Sequence, residues 1–201
     1  MMLEKLPTIV FATGNQNKAS EVARMLEGEF TVKSLVDIGC TEDIPETSAT
    51  LEGNAELKAR YVKEKYGYDC FADDTGLEVE ALDGAPGVIT ARYGGEEKDA
   101  EQNMSHLLNE LENSGSANRN AQFRTAIHII VNGQEHRIEG VCKGTIANEQ
   151  SGVEGFGYDP VFIPEGRNRT FSEMNQVEKN NISHRGLAIR EMLEYLSSLH
   201  R

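Results

Sequence analysis

Two adjacent carboxylates, Asp73 and Asp74, sit in the run Ala72-Asp73-Asp74-Thr75-Gly76, at the end of a short apolar stretch. Carboxylates delivered at a strand tip suit a hydrated magnesium ion and can take a proton from an attacking water. Side chains alternate along a strand, so one of the pair is expected to point into a site and the other away. Glu46, on a loop upstream, is a candidate for a further oxygen on the same metal. A solvated acidic turn is the plainer alternative for Asp73 and Asp74, and a lone solvated glutamate for Glu46.

Three other segments carry chemistry. Thr13-Gly14-Asn15-Gln16-Asn17-Lys18 reads as a strand-to-helix turn. Its glycine admits close backbone approach, its helix N-terminus presents amides to an anion, and Lys18 adds a charge. It lacks the two spaced glycines before Lys-Ser/Thr of a P-loop, so an ordinary capped turn is the competing reading. Gly155-Phe156-Gly157-Tyr158-Asp159-Pro160 sets two aromatics among glycines. An aromatic on such a backbone can stack on a nucleobase; alternatively, Phe156 and Tyr158 pack in the core beneath a Pro-terminated turn. Lys179 and Ser183-His184-Arg185 form a polar, partly cationic group before the last helix, which invites an anion or simply begins a solvated helix. Together the segments offer a phosphate turn, an acidic metal tip, a stacking aromatic and a second cationic contact, the parts of a nucleotide site.

The elements that must position these residues are legible in outline. Thr8 to Ala12 reads as a buried strand, followed by a helix with Val22, Met25 and Leu26 inward, the Asn15 and Asn17 amides able to cap its start and Gly28 placed to end it. Phe30 to Leu35 is a second strand. A helix over Leu51 to Tyr66 has Leu51, Ala55, Ala59 and Val62 on one stripe and Asn54 and Lys58 four apart on a neighbouring face, with Gly67 stopping it. Asp69 to Asp73 is expected as a strand, and Leu77 to Leu82 as a resumption of extended structure before the turn Asp83 to Gly87. Ala100 to Leu111 is an amphipathic helix. Phe123 to Val131 and Glu135 to Val141 form a hairpin through Asn132-Gly133. Val161 to Ile163 is a short strand, and Gly186 to Leu199 a closing helix. The order predicts an α/β or α+β sheet with helices outside.

The chain has 201 residues, with 33 acidic against 20 basic side chains and a formal net charge of −13. One cooperative unit of a single domain is expected over 1–201, as one large domain or two small lobes. The acidic balance argues against a broad positive surface for nucleic acid. Cys40, Cys70 and Cys142 form no CxxC pair, which points to reduced thiols in a cytoplasmic protein. The apolar run Ile9 to Ala12 is too short for a signal-peptide core, and no stretch approaches the roughly 20 apolar residues of a membrane span.

Five motifs in order, Thr13-Gly14-Asn15 with Lys18, Ala72 to Leu77, Gly84-Ala85-Pro86-Gly87 with Ala91-Arg92-Tyr93, Gly155 to Pro160, and Ser183-His184-Arg185-Gly186, resemble the inosine/xanthosine triphosphate pyrophosphatase family. The likeness runs from about Ile9 to the final helix. It implies a mixed α/β fold with an elongated central sheet flanked by helices, two lobes around a nucleotide-binding cleft, homodimeric assembly and magnesium dependence. By the same resemblance, Thr13, Gly14, Asn15, Gln16, Asn17 and Lys18 contact the triphosphate, with Asn54 and Lys58 facing the phosphates. Asp74 is the base and a metal ligand, and Thr75 touches substrate; the residues themselves add Glu46 or Asp73 as the companion of Asp74 at the metal. Phe156, Gly157, Tyr158, Asp159, Lys179, His184 and Arg185 bind the nucleotide, the last two near the base. Thr75 stands where many members have serine, and Gln122 where an arginine is common.

The expected activity is hydrolysis of non-standard purine nucleoside triphosphates (ITP, dITP, XTP) to monophosphate and pyrophosphate. The alternatives are a pyrophosphatase of similar fold acting on pyrimidine or modified nucleotides, and a nucleotide-binding module without catalysis, against which Asp73 and Asp74 speak.

Overall fold

Ile9, Val10 and Phe11 are enclosed in strand β1 (Thr8–Phe11), and this apolar strand anchors the first of two compact units. The structure is a computed structural model that describes residues 6–199. After β1 come α1 (Gln16–Met25), β2 (Thr31–Lys33), α2 (Leu51–Tyr66), β3 (Cys70–Val79), β4 (Pro86–Gly87), α3 (Ala100–Asn113), β5 (Asn120–Val131), β6 (Gln134–Ile146), β7 (Phe162–Pro164), α4 (Gln176–Ile182) and α5 (His184–Ser198), with short 3-10 turns between. The strands hydrogen-bond in the order β2-β1-β3-β5-β6-β7, with β4 beside β3. β1 runs parallel to both β2 and β3, with Val10 opposite Cys70 and Phe11 opposite Phe71, whereas β3–β4 and β6–β7 are antiparallel. The fold is a mixed α/β sheet with helices, as expected.

Of the described residues, the first unit contains 6–74, Ala126–Ile138 and 195–199. Its core packs Val10, Ala12, Cys40, Ala59, Val62, Cys70, Ala72 and Ile130. The apolar stripe of α2 supplies Ala59 and Val62, while the neighbouring stripe buries Asn54 and Lys58. Thr50 caps α2, and left-handed Gly67 ends it as the sequence suggests. The second unit contains Thr75–Thr125 and Glu139–Glu194. Leu77, Val79, Leu107, Leu111, Phe123, Phe162 and Phe171 form its core.

Several elements differ from expectation. β3 is continuous from Cys70 to Val79, so Asp73 and Asp74 lie inside a strand and not at its tip. Thr75-Gly76 resembles a turn in composition, yet Leu77 and Val79 continue the buried alternation and carry the strand through. The site still lies past the end of β1, whose pairing with β3 stops at Phe11 and Phe71. β2 is shorter than expected, and Leu35 leads instead into a 3-10 turn over Val36–Ile38. β5 begins earlier and β6 runs further, to Ile146. Gly140 and Gly144 weaken the apolar alternation there but admit close neighbours: a Cβ on Gly144 would lie 2.2 Å from the Ile163 carbonyl oxygen. Helix α4 was not anticipated, and α5 begins at His184 and not Gly186. The hairpin turn is as expected, with Asn132 at φ 52° and Gly133 at φ 76°. Cys40, Cys70 and Cys142 are buried thiols. Among the described residues, no helix is long and apolar enough to cross a membrane.

Candidate active site

In the first unit, α2 brings two side chains onto Asp74. Asn54 Nδ2 donates to Asp74 Oδ2 at 3.2 Å, and Lys58 Nζ donates to Asp74 Oδ1 at 3.1 Å. The two are four residues apart on one helical face, the spacing that lets side chains reach a common point. Lys58 Nζ also donates to Glu46 Oε1 at 2.6 Å, so the Glu46 loop joins the cluster. Asp73 turns to another helix, accepting from Lys18 Nζ of α1 at 3.1 Å. The neighbouring carboxylates engage different lysines, and both are buried in the one charged cluster, so they do not divide into one inward and one outward side chain.

Burial pushes the Asp74 carboxyl above the usual carboxylate range; Lys58 and Lys18 oppose this and Glu46 reinforces it. Burial works to depress Lys58, but Asp74, Asp73 and Glu46 outweigh it and raise its pKa, which keeps it protonated. The site therefore holds a lysine charge between two carboxylates, one of them displaced toward neutrality.

The turn before α1 is capped by Asn15, as the sequence suggests. Asn15 Oδ1 accepts from the amides of Asn17 and Lys18 at 3.0 and 3.1 Å, so two of the helix-terminal donors are already engaged. Thr13 Oγ1 accepts from the Asn15 amide at 3.1 Å and shapes the turn. Gly14, Asn15, Gln16 and Asn17 are exposed, and a Cβ on Gly14 would meet nothing within 4 Å. Packing within the chain therefore does not demand a glycine there.

In the second unit, Asp159, Lys179, Arg185 and Phe156 come together. Lys179 Nζ donates to Asp159 Oδ2 at 2.7 Å, and that oxygen also accepts from the Phe156 amide at 2.8 Å. Lys179 lies 4.9 Å and Arg185 5.7 Å from the Phe156 ring centroid, within cation–π range. Gly155, at φ 78°, is obligatory here: a Cβ would fall 2.1 Å from Asp159 Oδ2. Arg185 is buried and donates to Thr75 Oγ1 at 3.2 Å, while Thr75 shares a 2.7 Å hydrogen bond with Thr125 Oγ1. His184 stacks on Phe123 with centroids 4.5 Å apart. Gly186 lets this turn pack tightly, since a Cβ there would lie 1.8 Å from the Asn180 carbonyl oxygen.

The two aromatics of the glycine-rich segment part company. Phe156 is half-buried and flanked by the cations, whereas Tyr158 packs in the core and donates its hydroxyl to the Thr90 carbonyl at 2.9 Å. For Tyr158 the core reading is the correct one. Thr125 joined the cluster without being anticipated, and its position inside an apolar strand gave no signal. Helix α4, which carries Lys179, did leave one: Asn175 and Glu178 form a capping box, visible as Asn-x-x-Glu. A cavity of about 710 Å³ lies elsewhere in this unit, lined by residues such as Gln122, Lys143 and Arg167 and by none of the candidate site residues.

The family match spans residues 9–195 and so takes in both clusters. The chain belongs to the Ham1 family. Among its relatives, a dITP/XTP pyrophosphatase of Flavobacterium psychrophilum is 53% identical over 190 residues, covering 94% of this chain and 99% of the relative. One of Porphyromonas gingivalis is 53% identical over 194 residues, covering 96% and 98%. The solved HAM1 protein from Coxiella burnetii superposes with a TM-score of 0.87 at 34% identity, covering 96% of this chain and 100% of that one.

Within this Ham1 chain, Thr75 keeps a hydroxyl and uses it toward Arg185 and Thr125. Gln122, where the resemblance leads one to look for arginine, donates to Glu78 Oε2 at 2.8 Å, and Arg124 binds the other Glu78 oxygen at 3.0 Å. The start of β5 is thus tied to β3 by another basic residue on the same face. Among the described residues, no three acidic, histidine or cysteine side chains converge on one point as a self-sufficient metal site. Glu46 and Asp74 nonetheless offer oxygen donors around one cationic nitrogen, a hard-ligand pair that fits magnesium completed by water and phosphate oxygens.

Proposed function

We propose that this protein hydrolyses non-standard purine nucleoside triphosphates, ITP, dITP and XTP, to the nucleoside monophosphate and pyrophosphate. The observation that carries the reading is Asp74, a buried carboxylate held by one lysine and one amide beside Glu46. The relatives named dITP/XTP pyrophosphatase support the substrate class.

Asp74 orients a water and takes its proton as the oxygen attacks the α-phosphorus, and pyrophosphate leaves with the bonding electrons. Lys58 and Lys18 would neutralise negative phosphate charge, and the turn from Thr13 to Asn17, exposed from Gly14 on, would receive the triphosphate. Asp74 would hold magnesium together with Glu46 or Asp73, each of the three carboxylates being paired with a lysine in the metal-free protein. When bound, the metal supplies charge neutralisation for the phosphates and the leaving group.

Phe156 stacks on the base, kept in place by the Lys179–Asp159 pair. Hypoxanthine and xanthine present a 6-oxo acceptor to the donors of Arg185 and His184, whereas adenine presents a 6-amino donor and leaves donors facing donors. Cytoplasmic action and homodimeric assembly belong to the same reading.

Product identity tests the reaction. With dITP and magnesium, phosphorus NMR should show monophosphate and pyrophosphate appearing together; diphosphate and inorganic phosphate would instead mean attack at the terminal phosphorus.

A further inference from the structure

The contacts around Asp74 close into a ring that the catalytic reading leaves unexplained. Lys58 joins Asp74 Oδ1 to Glu46. Asn54 joins Asp74 Oδ2 to the backbone two residues beyond Glu46, because Asn54 Oδ1 accepts from the Ser48 amide at 2.9 Å. The Ser48 N–H can only donate, so the Asn54 carbonyl must face it and its amino group must face Asp74. Asn54 is 2% exposed, with both ends of its amide engaged within the protein. Gly53 completes the fit: a Cβ there would lie 2.0 Å from Ser48 Oγ and 2.7 Å from Ser48 Cβ, so the loop rests directly on the helix start.

We propose that Asn54 is a positioning residue and not a substrate contact: it fixes the rotation of the Asp74 carboxylate and clamps the Glu46–Ser48 loop to α2, setting the two carboxylates in register. Its role in catalysis rests on the pyrophosphatase reading, but the clamp does not. A shift of about 1 Å in a reacting group can cost roughly a hundredfold in rate, so a clamp of this kind acts on turnover. A group that only binds substrate acts on KM.

Two readouts on folded protein test this. In nucleotide-free and metal-free protein, amide hydrogen exchange at Ser48 should accelerate at least about tenfold in Asn54→Ala, since exchange tracks local opening. With dITP and magnesium, kcat should fall at least about tenfold while KM stays within about twofold. Gly53→Ala, which leaves every ring side chain in place but forces the loop outward, should lower kcat in the same way, and Gly53→Ala with Ser48→Gly should recover it. Unchanged Ser48 exchange, or a raised KM with wild-type kcat in Asn54→Ala, overturns the proposal. No pyrophosphate from the wild-type protein would sink the functional reading, and Ser48 exchange would still decide the clamp.

Discussion

Lys179 and Asp159 form an ion pair at 2.7 Å in which only 3% and 4% of the two side chains remain exposed. Removing one member of a buried pair leaves the other charge without its counter-ion, which costs about 3–5 kcal/mol. Asp159→Ala also strips the Phe156 amide of its acceptor. Urea unfolding of this variant should show a loss of that order; a loss below about 1 kcal/mol would mean that Lys179 finds another stabilising arrangement.

Phe156 is the aromatic left at the surface of the second cluster. Loss of one base-stacking ring costs about 1–3 kcal/mol, so Phe156→Ala should lower kcat/KM for dITP by roughly 5- to 150-fold. Tyr158, whose ring is in the core and whose hydroxyl is bound to Thr90, should respond differently. Tyr158→Phe should keep KM and lose only about 0.5–1.5 kcal/mol of stability, the net contribution of one hydrogen bond. Steady-state kinetics beside chemical unfolding separates the two residues.

In metal-free protein, the Asp74 carboxyl should titrate above its ordinary value of 3.8, because burial outweighs the attraction of Lys58 and Lys18 and Glu46 adds to it. A raised folded-state pKa means that the folded protein keeps this proton to a higher pH than the unfolded chain does. The associated stabilisation is therefore present below the unfolded pKa and lost as pH rises through the folded one. The stability difference between wild type and Asp74→Asn should accordingly shift against the wild type on the alkaline side of that window. Carbon-13 NMR of the Asp74 carboxyl reads the value directly, and a midpoint at or below 3.8 would contradict the assignment of burial as the leading cause.

The local elements were readable because their signals are local. Asn132-Gly133 specifies a tight turn from two residues, and the period of Leu51, Ala55, Ala59 and Val62 specifies one face of α2. That same period placed Asn54 and Lys58 together, and the structure puts both on Asp74. The carboxylates' setting inside β3 was hidden by Thr75-Gly76, whose turn-like composition is overridden by the buried Leu77 and Val79. Short α4 was missed because its apolar content is slight, although its capping box was on view. What no single segment could reveal was pairing at a distance. Thr75 with Thr125, and Asp159 with Lys179, meet only because strands and helices far apart in sequence pack together.

The most direct test of the central claim is pyrophosphate release with magnesium from dITP, XTP, GTP and ATP at one concentration, measured beside Asp74→Asn. The account predicts fast release from dITP and XTP, little from GTP or ATP, and a loss of at least about a hundredfold in the variant, the usual scale of base catalysis. Comparable rates on all four nucleotides, or wild-type turnover by Asp74→Asn, would contradict it.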